Sequence, residues 1–176
     1  MRLFFALWPD VDTQAQIANA AAALRLAGDA QRVPRENYHV TLAFVGEVAA
    51  SRLAVLQQIG RGQRAAGCTI TFNAYDYWPR PQVAVAIARE SPAALSLLWT
   101  QLHRDLALHQ AALNVMCSRS PLRTHITLAR KVAQAPVLQA MSPFHWNVRS
   151  FSLIRSDTSG ARSVYTVVDT WQLLYE

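Results

Sequence analysis

Cysteine is scarce in this chain of 176 residues: only Cys68 and Cys117 occur, and they form no CxxC pair. A disulfide-stapled scaffold and a zinc ribbon are therefore excluded. Charged residues are also few, at 16% of the chain against 52% hydrophobic residues. This balance excludes a disordered tail and predicts a chain that buries a real core.

Long apolar runs are missing as well. No stretch approaches the roughly 18 apolar residues that a membrane-spanning helix needs. The apolar residues 3–8 stop at Pro9, too early for a secretion signal. We therefore expect a soluble, cytoplasmic protein that does not bind membranes. No Gly/Ser tract or other linker divides the chain, so its length favours one domain or two small lobes.

Lysine is rare: the chain has one lysine, Lys131, and sixteen arginines. The net charge of +6 indicates an anionic partner. Much of this charge is local, because the charges of residues 31–47 cancel whereas residues 117–133 contain no acid and four cations: Arg119, Arg123, Arg130 and Lys131. The second of these segments therefore predicts a basic pocket.

Hydrophobic periodicity and turn residues predict strands and helices in mixed order. Several strands are joined by short turns, which favours an α+β fold with mostly antiparallel sheets over a doubly wound parallel sheet. Helices are expected to begin at Asp10 or Asp12, at Ser51, and at Ser91 with Pro92 in the first turn. The expected strands are residues 3–8, 38–45, 69–77, 83–87, 124–129, 144–154 and 164–174, with a hairpin between the third and the fourth.

One tetrapeptide pattern occurs twice. Residues 39–42 read His-Val-Thr-Leu and residues 125–128 read His-Ile-Thr-Leu, 86 residues apart and so close to half the chain. This spacing predicts an internal duplication, with one copy of the motif in each half.

The His-x-Thr spacing places chemistry on one face of a strand, because side chains at i and i+2 point the same way. His39 and Thr41 share one face, and His125 and Thr127 share the corresponding face of the second copy. Two imidazoles around one small anion suit acid–base chemistry on a phosphodiester, one donating a proton and the other accepting one. Thr hydroxyls can hold the phosphate oxygens, and Arg123 or Arg130 can neutralise developing charge.

Other candidate residues carry weaker signals. No His-x-His spacing occurs, and the one His-x5-His pair, His103 and His109, is predicted on different faces of a helix. No carboxylate cluster flanks either motif, so no metal is expected. His103, His109 and His145 have no motif around them and are interpreted as structural or surface residues. Aromatic side chains near the motifs could stack on a base, and the candidates by proximity are Phe5, Trp8, Tyr38 and Trp78.

The paired motifs resemble those of the 2H phosphoesterase superfamily, and most closely those of its bacterial RNA 2',3'-cyclic phosphodiesterase branch, long called 2'-5' RNA ligase. Residues 37–47 and 125–130 are similar to the two motif blocks of that family, and residues 2–7 to its opening strand. Ser156, Gly160 and Tyr165 resemble its C-terminal pattern. Departures occur at Leu122 and Thr124, where the family has Phe and Pro, and at Val85 and Ile87, where it has Trp and Gly.

The resemblance implies a single domain, residues 1–176, made of two interleaved pseudo-symmetric lobes whose antiparallel sheets face each other across a cleft, with helices outside. It implies hydrolysis of RNA 2',3'-cyclic phosphate ends to 2'-phosphate without metal or cofactor. His39 would be the proton donor and His125 the proton acceptor, with Thr41, Thr127 and Arg130 binding the substrate.

Two alternatives stay open at this point. One is reversible 2'-5' ligation or cleavage of RNA, and the other is a non-catalytic module that binds RNA ends or nucleotides. In each case the expected partner is RNA with a cyclic phosphate end or a small cyclic nucleotide, and the chain is expected to be a monomer.

Overall fold

The computed structural model describes residues 1–114, 121–160 and 163–174. Cys117 and Arg119 lie outside this part of the chain. The described elements, in chain order, are β1 (Arg2–Leu7), α1 (Val11–Ala23), β2 (Gln31–Arg32), β3 (Val40–Glu47), α2 (Leu53–Gly62), β4 (Cys68–Phe72), β5 (Ala74–Trp78), β6 (Val83–Ile87), α3 (Ala93–Leu108), α4 (Gln110–Leu113), β7 (His125–Arg130), β8 (Phe144–Val148), β9 (Ser150–Asp157) and β10 (Val164–Gln172).

The strands form three sheets in which all paired strands are antiparallel, so the α+β prediction with mostly antiparallel sheets is confirmed. The first sheet has the order β10-β9-β1-β3, the second has the order β2-β7-β6-β5, and β4 pairs with β8 in a two-stranded sheet. The first sheet therefore joins strands from both ends of the chain, whereas the second is built from its middle.

Two of the helices, α1 and α3, pack against the motif strands. The helix α1 follows β1 of the first sheet and packs against β7 of the second, while α3 follows β6 of the second sheet and packs against β3 of the first. Its buried face carries Leu95, Leu98, Leu102 and Leu106, as their helical spacing predicts. Each helix thus contacts the motif strand of the opposite sheet.

The helix starts are only partly as expected. Asp10 caps α1 as predicted, and its carboxylate accepts a 2.7 Å hydrogen bond from the Thr13 amide. Ser51 caps nothing, because a short 3₁₀ turn over Ala50–Arg52 precedes α2. Ser91 does not cap α3 either, since Pro92 takes the N-cap position and the Ser91 hydroxyl pairs with Thr124 Oγ1 at 2.6 Å.

Two expected strands are each broken into two. The segment 69–77 divides at Asn73, so that β4 pairs with β8 and β5 with β6. The segment 144–154 divides at Arg149 in the same way, with β9 entering the first sheet. In sequence, each segment has the pattern of one continuous strand. The break arises because its two parts pair with different strands. The expected hairpin between β5 and β6 is confirmed, and the short strand β2 was not expected.

The first sheet has one face in the main core and the other against a separate, smaller cluster. In β1, Leu3, Phe5 and Leu7 belong to the main core. Phe4 and Ala6 point the opposite way and cluster with Ile154, with Trp8 and Tyr165 packed beside them. This second face carries the first motif. Among the described residues, no helix is long and apolar enough to cross a membrane.

Candidate active site

The two motif histidines make the same hydrogen bond. His39 lies directly before β3 and its Nδ1 is 2.8 Å from the Asn37 carbonyl oxygen, while His125 opens β7 with its Nδ1 2.6 Å from the Arg123 carbonyl oxygen. A carbonyl oxygen can only accept, so each Nδ1 carries a proton and donates. In the neutral imidazole, Nε2 of each ring is therefore the free, basic nitrogen.

The two motif strands also share a bulge. Thr41 pairs with Ala6 and the next paired residue of β3 is Ala43, which leaves Leu42 as the extra residue. Thr127 pairs with Val85 and the next paired residue of β7 is Ala129, which leaves Leu128 as the extra residue. A bulge bends a strand and re-aims its side chains. Both Thr hydroxyls thus precede the same local distortion.

Burial separates the two faces of each motif strand as the alternation predicts. Val40 and Leu42 are buried in the core, whereas His39 and Thr41 are half-buried on the other face. Ile126 and Leu128 are likewise buried, whereas His125 and Thr127 are half-buried. An imidazole and a hydroxyl therefore stand side by side on each sheet.

Aromatic rings surround His39. The Trp8 indole stacks on the imidazole with ring centres 5.8 Å apart and 10° between the planes. Phe4 lies 5.1 Å away at a tilt, and Tyr165 meets the imidazole edge-on at 5.3 Å. The pKa of His39 is lowered to about 4, chiefly by burial. The bond to the Asn37 carbonyl opposes this shift, and the charges of Arg130 and His125 add to it.

His125 has its own aromatic and charged neighbours. The Trp78 ring centre lies 4.4 Å from that of His125, and the Arg123 guanidinium lies 4.4 Å from the Trp78 ring centre. Asp76 Oδ2 accepts hydrogen bonds from Trp78 Nε1 at 2.8 Å and from Arg123 Nη2 at 3.3 Å. Burial lowers the pKa of His125, and the Arg123 and Arg130 charges lower it further.

Arg130 acts on both motif histidines. It is the last residue of β7, it is exposed, and its charge lowers the pKa of both His39 and His125. It lines a cavity of about 330 Å³ together with His39, Thr41 and Tyr165. Arg130 thus brings the second motif strand to this cavity, whereas His125 and Thr127 do not line it.

The four aromatic candidates for stacking on a base fall into two groups. Phe5 and Tyr38 are core residues, with 0% and 3% of their surface exposed, so they have no free face for a base. Trp8 and Trp78 are half-buried, and each packs against one of the motif histidines. Phe4 also contacts His39 but was not among the candidates, because the side chains of β1 that face His39 are decided by its partner strands.

The other three histidines make hydrogen bonds within a helix or across a strand pair. The Nδ1 of His103 and that of His109 donate to carbonyls four residues earlier, those of Trp99 and Asp105, and His145 pairs with Thr71 Oγ1 across β4 and β8. None of the three lines the cavity at Arg130. Within residues 1–114, 121–160 and 163–174, no three His, Cys, Asp or Glu side chains come together as a group that could hold a metal ion.

Comparison with known proteins supports the resemblance that the two motifs suggested. The RNA 2',3'-cyclic phosphodiesterase of Escherichia coli is 30% identical over 174 residues, which cover 98% of this chain and 96% of that protein. The protein of the same name from Thermus thermophilus is 29% identical over 181 residues, covering 98% of this chain and 90% of that protein.

Solved structures agree with these relatives. Escherichia coli LigT complexed with 3'-AMP has a TM-score of 0.84 at 28% identity, covering 99% of this chain and 98% of that one. Residues 13–160 match the family described as the 2'-5' RNA ligase superfamily. A match over most of the chain, with both motifs inside it, establishes that this protein belongs to the 2'-5' RNA ligase superfamily.

Proposed function

We propose that the protein hydrolyses 2',3'-cyclic phosphate ends of RNA to 2'-phosphate by proton transfer through His39 and His125. The observation that carries this proposal is the matched pair of Nδ1 hydrogen bonds, which leaves Nε2 of both imidazoles available beside one guanidinium. The names of the two bacterial relatives support the substrate class.

The proposed step opens the ring with water. His125 Nε2 takes a proton from the attacking water as the new P–O bond forms, and the bond between phosphorus and the 3' oxygen breaks. His39 gives its Nε2 proton to that oxygen, which leaves as a hydroxyl. The product is a 2'-phosphomonoester, and proton exchange with solvent restores both histidines.

Three further groups hold the phosphate in this proposal. The hydroxyls of Thr41 and Thr127 donate to the non-bridging oxygens, one from each strand. Arg130 neutralises the negative charge that grows on those oxygens in the transition state. Its charge lowers the pKa of both imidazoles, which supports this role.

The lowered pKa values fit an enzyme in which one histidine becomes protonated when the substrate binds. Without substrate both imidazoles are mostly neutral at pH 7, since burial and nearby cations disfavour the charged form. An anionic phosphodiester between them raises both pKa values, because it offsets the charge of Arg130. The Trp8 indole, stacked on the ring, presents its face to the His39 imidazolium once it forms.

The roles of donor and acceptor follow from the family resemblance, which makes His39 the donor and His125 the acceptor. The pKa of each imidazole is lowered, and the two shifts give the roles no order.

The organisation of the chain is part of this proposal. We propose that residues 1–176 form a single domain of two interleaved pseudo-symmetric lobes, each with one His-x-Thr motif. The repeated hydrogen bond and the repeated bulge support this arrangement. We also propose that the chain acts as a monomer in the cytoplasm, and light scattering of the purified protein tests the first of these two points.

Alanine at either histidine tests the function. A short RNA ending in 2',3'-cyclic phosphate is incubated in EDTA with wild type, His39→Ala, His125→Ala and the control His145→Ala, which alters an exposed histidine of β8. We expect wild type and control to be equally active and each motif variant to lose about 10²–10⁴-fold. A motif variant that keeps more than a tenth of the wild-type rate refutes the assignment.

A further inference from the structure

A second cavity opens beside the proposed active site. It has a volume of about 570 Å³ and shares Arg130, Ser163 and Tyr165 with the cavity of about 330 Å³ that contains His39 and Thr41. Ligand sites in proteins span roughly 300–1,000 Å³. The smaller cavity therefore suits the reacting phosphate and its ribose, and the larger one leaves room for more of the substrate.

Two residues on the rim of the larger cavity have an unusual backbone. Gln82 and Lys131 lie in the left-handed region, with φ of 52° and 56°. In the described part of the chain the one other non-glycine residue there is Asn114, which ends α4, where asparagine is common. Glycine adopts this backbone at lower cost, but it would remove the side chain. Strain of this kind concentrates where a side chain has a role in binding.

The rim is held in place by hydrogen bonds across the second sheet. The Val132 amide donates to the Gln82 carbonyl at 2.9 Å, which joins the two left-handed turns. The Tyr77 hydroxyl donates to the Val132 carbonyl at 2.8 Å. These bonds hold the backbone at Lys131 in place. Binding a ligand there therefore costs little further conformational entropy of the loop.

The charge available in this cavity comes from β7 and the turn after it. Arg32 also lines the cavity, but its guanidinium donates to the carbonyls of Ala21, Ala22 and Leu24 at the end of α1. Lys131, the one lysine of the chain, is exposed and has no ion pair among the described residues. Its ammonium is therefore available to an anion.

We propose that the larger cavity binds the nucleotide preceding the cyclic phosphate end, with Lys131 contacting the phosphodiester that joins the two nucleotides and the Gln82 amide contacting the preceding nucleotide. The inference rests on the proposed function and deepens it. The substrate class becomes RNA ends of two or more nucleotides in preference to free cyclic mononucleotides.

Two substrates of different length test the inference. The kcat/KM is measured on adenosine 2',3'-cyclic phosphate and on the dinucleotide ApA with the same cyclic end. We expect wild type to prefer the dinucleotide. Lys131→Gln should lower the ratio of kcat/KM on the dinucleotide to kcat/KM on the mononucleotide by about tenfold, the range for one charged contact. Gln82→Gly, which removes the amide and keeps the backbone, should lower the same ratio.

The control is Arg61→Gln, which removes an exposed cation of α2 that lines neither cavity. It should leave the ratio as in wild type. The inference is overturned if Lys131→Gln and Gln82→Gly keep the wild-type ratio or lower both rates equally. Failure of wild type to hydrolyse either substrate contradicts the proposed function instead, so the two failures are distinguishable.

Discussion

His39 and His125 hold the same hydrogen bond in two different sheets, each from Nδ1 to the carbonyl two residues earlier, at 2.8 Å and 2.6 Å. The bond sets the tautomer, because a carbonyl accepts only. It also fixes the ring against the strand that carries it. Each ring keeps its Nε2 for the proton transfers that we propose.

The pH dependence follows from the two lowered pKa values. A productive pair has one proton, and that state is most populated midway between the two pKa values. Both lie below the usual 6.5 in the free protein, His39 at about 4, so kcat/KM should peak on the acid side of pH 6.5. Bound phosphate raises both pKa values, so kcat should peak at higher pH than kcat/KM.

Rate profiles from pH 4 to pH 9 on the cyclic dinucleotide measure both curves. A kcat/KM profile centred above pH 7 contradicts the burial and charge effects described for these histidines. Coincident kcat and kcat/KM profiles contradict the effect of the bound anion.

Arg123 tunes His125 alone. Its charge lowers the pKa of His125, while the cations and imidazoles acting on His39 are Arg130 and His125. Arg123→Gln removes that charge and keeps the backbone carbonyl that accepts from His125 Nδ1. We expect the pKa of His125 to rise toward 6.5 and that of His39 to stay. NMR titration of the two imidazoles measures both values.

Arg89→Gln is the matched control, since Arg89 is exposed and its charge acts on neither histidine. Equal shifts in the two arginine variants would show that the effect is one of net charge. An unchanged His125 in Arg123→Gln would mean that the cation above Trp78 is screened from the imidazole.

The two glycines of α2 give a matched pair for stability. A Cβ at Gly60 would overlap the Trp171 indole, whereas nothing lies within 4 Å of one at Gly62. Gly60→Ala should lower the free energy of unfolding by about 1–3 kcal/mol through overpacking. Gly62→Ala should leave it equal or raise it by up to about 1 kcal/mol, since alanine favours a helix. Urea denaturation distinguishes the two, and equal effects would contradict the packing of Trp171 on α2.

Much of the site could be predicted from the sequence because its signal is local. The period of two in a strand put His39 beside Thr41 and His125 beside Thr127, and the half-chain spacing predicted that the copies belong together. The class of fold followed from short connections between strands. These inferences use neighbours in sequence, which composition and periodicity describe well.

What escaped prediction depends on partners distant in sequence. The bulges at Leu42 and Leu128 appear only once β3 and β7 pair with β1 and β6. Proximity to the motif pointed to Phe5 as a base-stacking candidate, but the pairing of β1 turns Phe5 into the core and Phe4 toward His39. The breaks at 73 and 149 likewise follow from strands leaving one sheet for another.

A change of leaving group separates the role of His39 as the acid from that of His125 as the base. 3'-Deoxyadenosine 2'-(4-nitrophenyl phosphate) keeps the 2'-linked phosphate and has no 3' hydroxyl that could attack the phosphorus in place of water. Its leaving group is nitrophenolate, which leaves without a proton. The measurement is the loss of kcat/KM in His39→Ala and in His125→Ala on this ester, relative to the loss on the cyclic dinucleotide. We expect His39→Ala to recover most of its activity on the ester, whereas His125→Ala should lose about 10²–10⁴-fold on both substrates. Equal losses for His39→Ala on the two substrates, or recovery by His125→Ala in its place, would contradict the assignment.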